Sequence, residues 1–359
     1  MKAARNPSRH QLRGASRIPS RRGANGTSKS ISAVSSPGLS PHSTSSVRIF
    51  RALELRLGDE LHSSGAEYAV TPRDVAILMA LDAYRYLDRS QVQTLFFTGP
   101  RSCQYRLRWL VHHGLMHTWR VVMRPGRLCR ASIFILSRRG AAALAEWIDA
   151  EPLPIVRRAE HALERRFHLV HQLEANQFFV DLSAVTRGLS DCGLYHWVGE
   201  HGVANAYAEG DERGPIPDGW GRLLTPDREV LIHLEWDRGT EQPRRLRAKV
   251  IGYAAYFSDR PGARANQVLF VAPTEERERQ ILSVIRDYVD ADRECCRFWT
   301  TTTAFIAASG PLGEVWAGAG SRRVGLKAMD GLPRSERDVD ASIGKPGWWL
   351  RRPGGGAGS

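Results

Sequence analysis

The stretch at 216–253, IPDGWGRLLTPDREVLIHLEWDRGTEQPRRLRAKVIGY, narrows the folds open to this chain more than any other. Two short apolar runs flank TPDR. Val230, Leu231, Ile232 and Leu234 favour extended backbone and Pro-Asp favours a turn, so the pattern predicts an antiparallel hairpin. A helical pattern follows, with Leu246, Val250, Tyr253 and Phe257 at intervals of four, three and four. That spacing buries one side of a helix and leaves Lys249 beside it.

The acidic residues of this stretch lie where the hairpin would gather them. Asp218 sits in a Pro-Asp-Gly turn just before the first run, and Glu235 and Asp237 end the second. Glu235 and Asp237 are two apart and share a face of a strand. Two or three carboxylates converging beside a lysine are what a divalent metal and a scissile phosphate require. Asp218, Glu235 and Lys249 are therefore candidate catalytic residues, and Asp218, Glu235 and Asp237 candidate metal ligands. A solvated hairpin with a lysine nearby would present the same pattern.

Charge points to the partner. The 359 residues carry a formal net charge of +13, which calls for an acidic partner, nucleic acid first and a membrane surface as its rival. No apolar run approaches the roughly 18 to 20 residues that span a bilayer, so an integral membrane protein is not expected. Five cysteines without a CxxC pair make neither a disulfide framework nor a zinc site, and a reducing cytoplasm is the expected compartment. Residues 1–50 read as a disordered basic tail. Its first 47 residues contain no Asp or Glu, and Arg5, Arg9, Arg13 and Arg17 recur every four. An organelle transit peptide has a similar composition, but no apolar face accompanies these arginines.

Residues 71–149 read as a winged helix-turn-helix. TPRDVAILMALDAYRYLD, RSQVQTLFF and RSCQYRLRWLVHHGLM predict three helices, and MHTWRVVM and ASIFILS predict two strands around the tip RPGRLCR. Between Asp88 and Glu146 there are ten arginines and no acidic residue, an imbalance that suits double-stranded DNA. Arg101–His113 is the expected recognition helix. Arg101, Gln104, Arg108, Arg120, Arg124 and Arg127 are the expected DNA contacts. Helix-turn-helix proteins are often dimers, which makes a homodimer an expectation although no dimer seam is legible.

SRRGAAALAEWID predicts a closing helix and EPLPIV a linker to a second domain at 157–318. That domain is expected to open with one long helix over about 157–190, burying Leu163, Phe167, Val170, Leu173, Phe178, Leu182 and Val185. A strand LYHWVGE, a loop over 201–216, the hairpin, the Lys249 helix, a strand NQVLFVA, a helix EERERQILSVIRDYV and a strand FWTTTTAFI follow. Residues 319–359 read as a disordered tail. The whole is of the α+β class.

The α-β-β-β-α-β order around Asp218 and Glu235 resembles the restriction-endonuclease-like PD-(D/E)xK nucleases. The resemblance implies that Asp218 and Glu235 hold Mg²⁺ or Mn²⁺. Pro217-Asp218 matches the PD element and Glu235 the acid, but Asp237 stands where the family has lysine. Some members carry that lysine on the next helix, where Lys249 lies. More of the chain, about 70–305, is similar to the replication-relaxation family, through LSRRG, FHLVHQLEANQFFVDL, Trp197 with Glu200, PDG, and LEWDRGTE followed by Lys249 and Tyr253. That family is encoded on plasmids and integrative elements and is similar to MobC-type relaxases. The likeness implies DNA processing or control in plasmid replication or transfer. As an enzyme the protein would make a metal-dependent hydrolytic nick at the carboxylates, whereas a relaxase would instead need a nucleophile, for which Tyr253 is a candidate. His168, His171 and Glu200 would complete the pocket. The competing expectation is a non-enzymatic transcription or copy-number regulator on a degenerate nuclease-like scaffold.

Overall fold

In the computed structural model the described residues are 70–333, apart from 125–126, 165–167, 210–213, 259, 261, 290–294, 319 and 321; the side chains of 121–131 and 205–213 are also outside the description. The expected basic tail at 1–50 and everything after 333 therefore lie outside the described residues.

Local sequence rules start the first helices. Thr71 accepts from the Asp74 backbone N–H while the Asp74 carboxylate takes the Thr71 N–H, a capping box that opens α1 (Pro72–Tyr84). Asp88 and Gln91 repeat the device between the short β1 (Leu87–Asp88) and α2 (Arg89–Phe96). Pro100 begins α3 (Pro100–His112). The hairpin β2 (Met116–Arg124) and β3 (Arg127–Leu136) follows, and β1 pairs with β3 in a sheet of order β1-β3-β2. Ser137 caps α4 (Arg138–Trp147).

Two expectations fail next. EPLPIV is not a linker but the start of α5 (Pro152–Glu164). A proline in the first helical turn lacks only an N–H that would have no intrahelical partner, so two prolines there open a helix as readily as they break a chain. The single helix expected over 157–190 is two, α5 and α6 (Leu169–Thr186). Both bury an apolar face, so the periodicity runs across the interruption without marking it. Val185, expected inside, is exposed, and Phe167 lies outside the described residues.

A mixed sheet forms the second half. Its elements are β4 (Gly193–Gly199), α7 (Glu200–Glu209), β5 (Gly219–Leu224), β6 (Arg228–Trp236), α8 (Pro243–Phe257), β7 (Asn266–Ala272), α9 (Glu275–Tyr288), β8 (Arg297–Thr302) and α10 (Thr303–Ser309). The short β9 (Trp316–Ala317), β10 (Arg323–Val324) and β11 (Leu332–Pro333) complete it. The order is β10-β9-β8-β7-β6-β5-β4, with β11 on β6. β5 and β6 are the antiparallel hairpin that TPDR predicts, with Gly219 opposite Leu234, and β7 runs parallel to both β6 and β8.

Here too the sequence misleads in places. α7 occupies part of the expected loop at 201–216. FWTTTTAFI is a strand only to Thr302, whose hydroxyl accepts from Phe305 N at 3.2 Å and turns the rest into α10. Within the stretch expected to be a disordered tail after 319, Leu326 and Met329 are buried and β11 pairs with β6.

β7 shows how the layers form. Val268, Phe270 and Ala272 face α8 and α9, packing with Leu246, Val250, Tyr253, Phe257, Ile281 and Ile285. Leu269 and Val271 point the other way, into the cluster that holds Phe178 and Phe179 of α6. That second cluster does not stop at the sheet. It runs on through Trp197 to Leu78, Leu95 and Leu107 of the N-terminal helices, and the described residues belong to one compact unit. The protein is a mixed α/β molecule, and no described helix is long and apolar enough to cross a membrane.

Candidate active site and basic face

The antiparallel pairing of β5 and β6 brings the start of one strand beside the end of the other. Asp218 directly precedes β5 and its backbone N–H donates to Leu234 O at 2.9 Å, so its side chain reaches back over β6. There Oδ2 accepts from the Trp236 backbone N–H at 2.7 Å, next door to Glu235. Oδ1 faces His171 Nε2 of α6 at 2.8 Å.

Glu235 points toward α8. Lys249 Nζ lies 2.7 Å from its Oε2, and the Tyr253 hydroxyl, one helical turn later, donates to Oε1 at 2.6 Å. Lys249 also approaches Glu241 Oε1 at 3.4 Å. The Glu235 side chain is only 3 % exposed while that of Lys249 is 30 % exposed, so the lysine lies between the buried glutamate and solvent.

Burial dominates the electrostatics. It pushes the Glu235 carboxyl up to about 7, with the Asp218 charge adding to the rise and Lys249 opposing it. Burial alone would lower the Lys249 ammonium, but Glu235, and after it Asp218, outweigh this and hold it well above its ordinary value. Desolvation also disfavours a charged His171, and the bond to Asp218 overcomes it, leaving that imidazole raised. Asp218 thus acts electrostatically on both members of the Glu235–Lys249 pair.

The structure brings Asp218, Glu235, Lys249 and His171 together and gives other candidates different work. Asp237 shares the face of Glu235, yet it is turned to Arg277 of α9, whose Nε lies 2.6 Å from Oδ2, and to the Gly239 N–H. Tyr253 is fully buried with its hydroxyl given to Glu235, a position for holding a carboxylate and not for attacking a phosphate. His168 is exposed at the start of α6, and the Glu200 backbone N–H donates to Asp218 O at 3.1 Å. Glu241, and the pair of Glu174 with Arg238 at 3.2 Å, were missed by sequence reasoning. Glu241 and Arg238 stand inside LEWDRGTE, but no periodicity predicts how a loop folds back.

Among the described residues no group of three or more His, Cys, Asp or Glu side chains is arranged to hold a metal ion. Mg²⁺ does not need three. It keeps most of its waters and takes one or two carboxylates plus phosphate oxygens, and Asp218 and Glu235, hard oxygen donors at adjoining strand ends, are of that chemistry.

The basic face lies on the N-terminal half. Cys103, Leu107 and Leu110 bury one side of α3, and Arg101 and Arg108 stand exposed on the other. Gln104 is half-buried and Arg120 is exposed on β2. Arg101, Arg108 and Arg120 form no ion pair among the described residues, whereas Arg106 is spent on Asp74, with Nε 2.7 Å from Oδ1. The side chains of Arg124 and Arg127 lie outside the described residues.

No curated protein and no solved structure matches this chain. The replication-relaxation family matches it over residues 78–270, which takes in α3, the hairpin, Asp218, Glu235 and Lys249. The chain belongs to the replication-relaxation family.

Proposed function

We propose that this is a DNA-binding protein of plasmid or mobile-element replication or transfer, and that its second half cuts one strand of the DNA its first half holds. The observation that carries the reading is the ion pair of Lys249 with Glu235 at 2.7 Å, formed within reach of the Asp218 charge. The order α1-β1-α2-α3-β2-β3 supports a winged-helix reading, with α3 as the recognition helix and Arg101, Arg108 and Arg120, which form no ion pair among the described residues, toward phosphates. Asp218 and Glu235 at adjoining strand ends, with Lys249 on the next helix, support reading the sheet as a restriction-endonuclease-like core whose lysine has moved from the strand to the helix.

In this mechanism Lys249 remains protonated and neutralises charge developing on the phosphate in flight. Tyr253 and the Trp236 N–H hold the two carboxylates in place, and His171 fixes the rotamer of Asp218. A Mg²⁺ or Mn²⁺ ion held by Asp218 and Glu235 would supply Lewis acidity and an activated water.

A second reading, a DNA-binding regulator on a retired nuclease scaffold, is favoured by the full engagement of all four carboxylate oxygens with protein donors. One experiment separates the two. A supercoiled plasmid carrying the origin region of the protein's own replicon is incubated with protein and Mg²⁺ or Mn²⁺. Wild type is expected to nick it and to stop on addition of a chelator, whereas Asp218→Ala and Glu235→Ala still retard it in a gel without cutting. Retardation without nicking by all three would leave the regulator.

A further inference from the structure

The exposed face of α3 carries an aromatic ring that the charge argument does not use. Arg101, Tyr105, Arg108 and His112 follow at intervals of four, three and four, and all are exposed. Tyr105 is 65 % exposed, the most open of the large hydrophobic side chains among the described residues. Its neighbour one turn back, Arg101, and the one nearly a turn on, Arg108, keep their guanidinium groups free of ion pairs among the described residues. Tyr105 itself has no hydrogen bond or ring contact among them.

A large aromatic ring at the centre of a basic helix face is open to whatever partner that face binds. The basic face selects DNA, and the major groove admits a helix of this size. The arginines on either side have natural partners there in phosphates or in the O6 and N7 of guanine. The Tyr105 hydroxyl can also donate to those acceptors, but the ring itself is apolar and has no partner among them. The apolar group that base edges present in the major groove is the 5-methyl of thymine.

We infer that Tyr105 reads a thymine methyl, so that α3 selects sequence as well as binding phosphate. The inference rests on the DNA-binding reading above and is independent of whether the second half cuts. It makes Tyr105 a specificity-determining residue that no charge count could find.

The test begins by selecting preferred duplexes from a random-sequence library with the full-length protein. Each thymine of the selected duplex is then replaced by deoxyuridine, which removes the methyl and nothing else. Affinities are measured by fluorescence anisotropy for wild type, Tyr105→Phe and Tyr105→Ala. At one position the substitution should weaken wild type and Tyr105→Phe about fourfold, the value of one buried methyl. Tyr105→Ala should bind the thymine duplex more weakly from the outset and be indifferent to the substitution there. Its salt dependence should match wild type, whereas Arg120→Ala should lower the slope of log K against log salt by about 0.9. Because Tyr105 is exposed, Tyr105→Ala should melt at the wild-type temperature.

Selected duplexes without a recurrent thymine, or a Tyr105→Ala protein that still senses the methyl, would overturn the inference and leave DNA binding intact. Loss of affinity in Tyr105→Phe would do the same, because the hydroxyl and not the ring would then carry the contact. Failure of the wild-type protein to bind any duplex of the library would overturn the DNA-binding reading itself, and this inference with it.

Discussion

Lys249 could have been one more solvated lysine on the polar side of an amphipathic helix, and its spacing from the buried stripe says no more than that. What gives it a role is Glu235, which sits beneath it at 3 % exposure and cannot be buried as a lone anion without a large desolvation penalty. Lys249→Met should therefore reduce nicking by about a hundredfold or more, the usual effect of removing a preorganised charge partner from the reacting phosphate, while gel retardation is unchanged. Tyr253→Phe removes a hydroxyl that donates to the same carboxylate. It should lower the free energy of unfolding by about 1.5–3 kcal/mol, read from urea titration, because the lost bond is to an ionisable buried group. Asp237 shows the opposite lesson. Its two-residue offset from Glu235 suggested a shared ligand set, yet Arg277, 40 positions later, claims it.

Among the elements, α6 and β5 depend on each other most closely. A Cβ added at Gly219 would lie 2.4 Å from Phe179 Cε2, and one at Gly221 would lie 2.6 Å from Cε1. The glycines that flank Trp220 are thus what lets α6 press flat on the sheet, and this contact brings His171 to Asp218. Gly221→Ala should destabilise the protein by about 1–3 kcal/mol through overpacking, and Phe179→Leu in the same chain should recover part of the loss in thermal denaturation. The hairpin, the Lys249 helix and β7 were all legible as periodicities of two or 3.6. The helix pair α5 and α6 was not, because a break between two helices that bury faces in one body leaves the apolar rhythm unbroken.

At the scale of the whole molecule, the candidate DNA reader and the candidate cutter are not two beads on a string. Tyr84 of α1 stacks on Trp197 of β4 with ring centroids 3.5 Å apart, and Phe179 of α6 stacks on Trp197 at 5.1 Å. Asn176 of α6 donates to Tyr84 O at 3.1 Å and Tyr86 O at 2.8 Å, and Gln91 of α2 donates to Leu173 O at 2.8 Å. A core continuous across both halves should unfold in one cooperative transition, with fluorescence and far-ultraviolet dichroism coinciding. Trp197→Ala, which empties the middle of the stack, should cost about 3–5 kcal/mol and separate the two curves. Without a flexible linker, the nick should fall at a constant offset from the bound sequence, which primer extension on substrates with the site displaced will show.

Read as a string of residues, the chain already specifies its mixed class, the hairpin with acids at its ends, the one-sided basic half and the family to which it belongs. These are local or additive properties: a turn, a strand or a helix face is set by neighbours within a few positions, and charge sums without regard to shape. The closure of Lys249 on Glu235, the diversion of Asp237 to Arg277, the docking of His171 on Asp218 and the fusion of both halves around Trp197 belong to the folded molecule. Each joins residues of separate elements, and which side chains meet there depends on how helices settle on a sheet, where one glycine or one buried ring alters the distance and hence the partner.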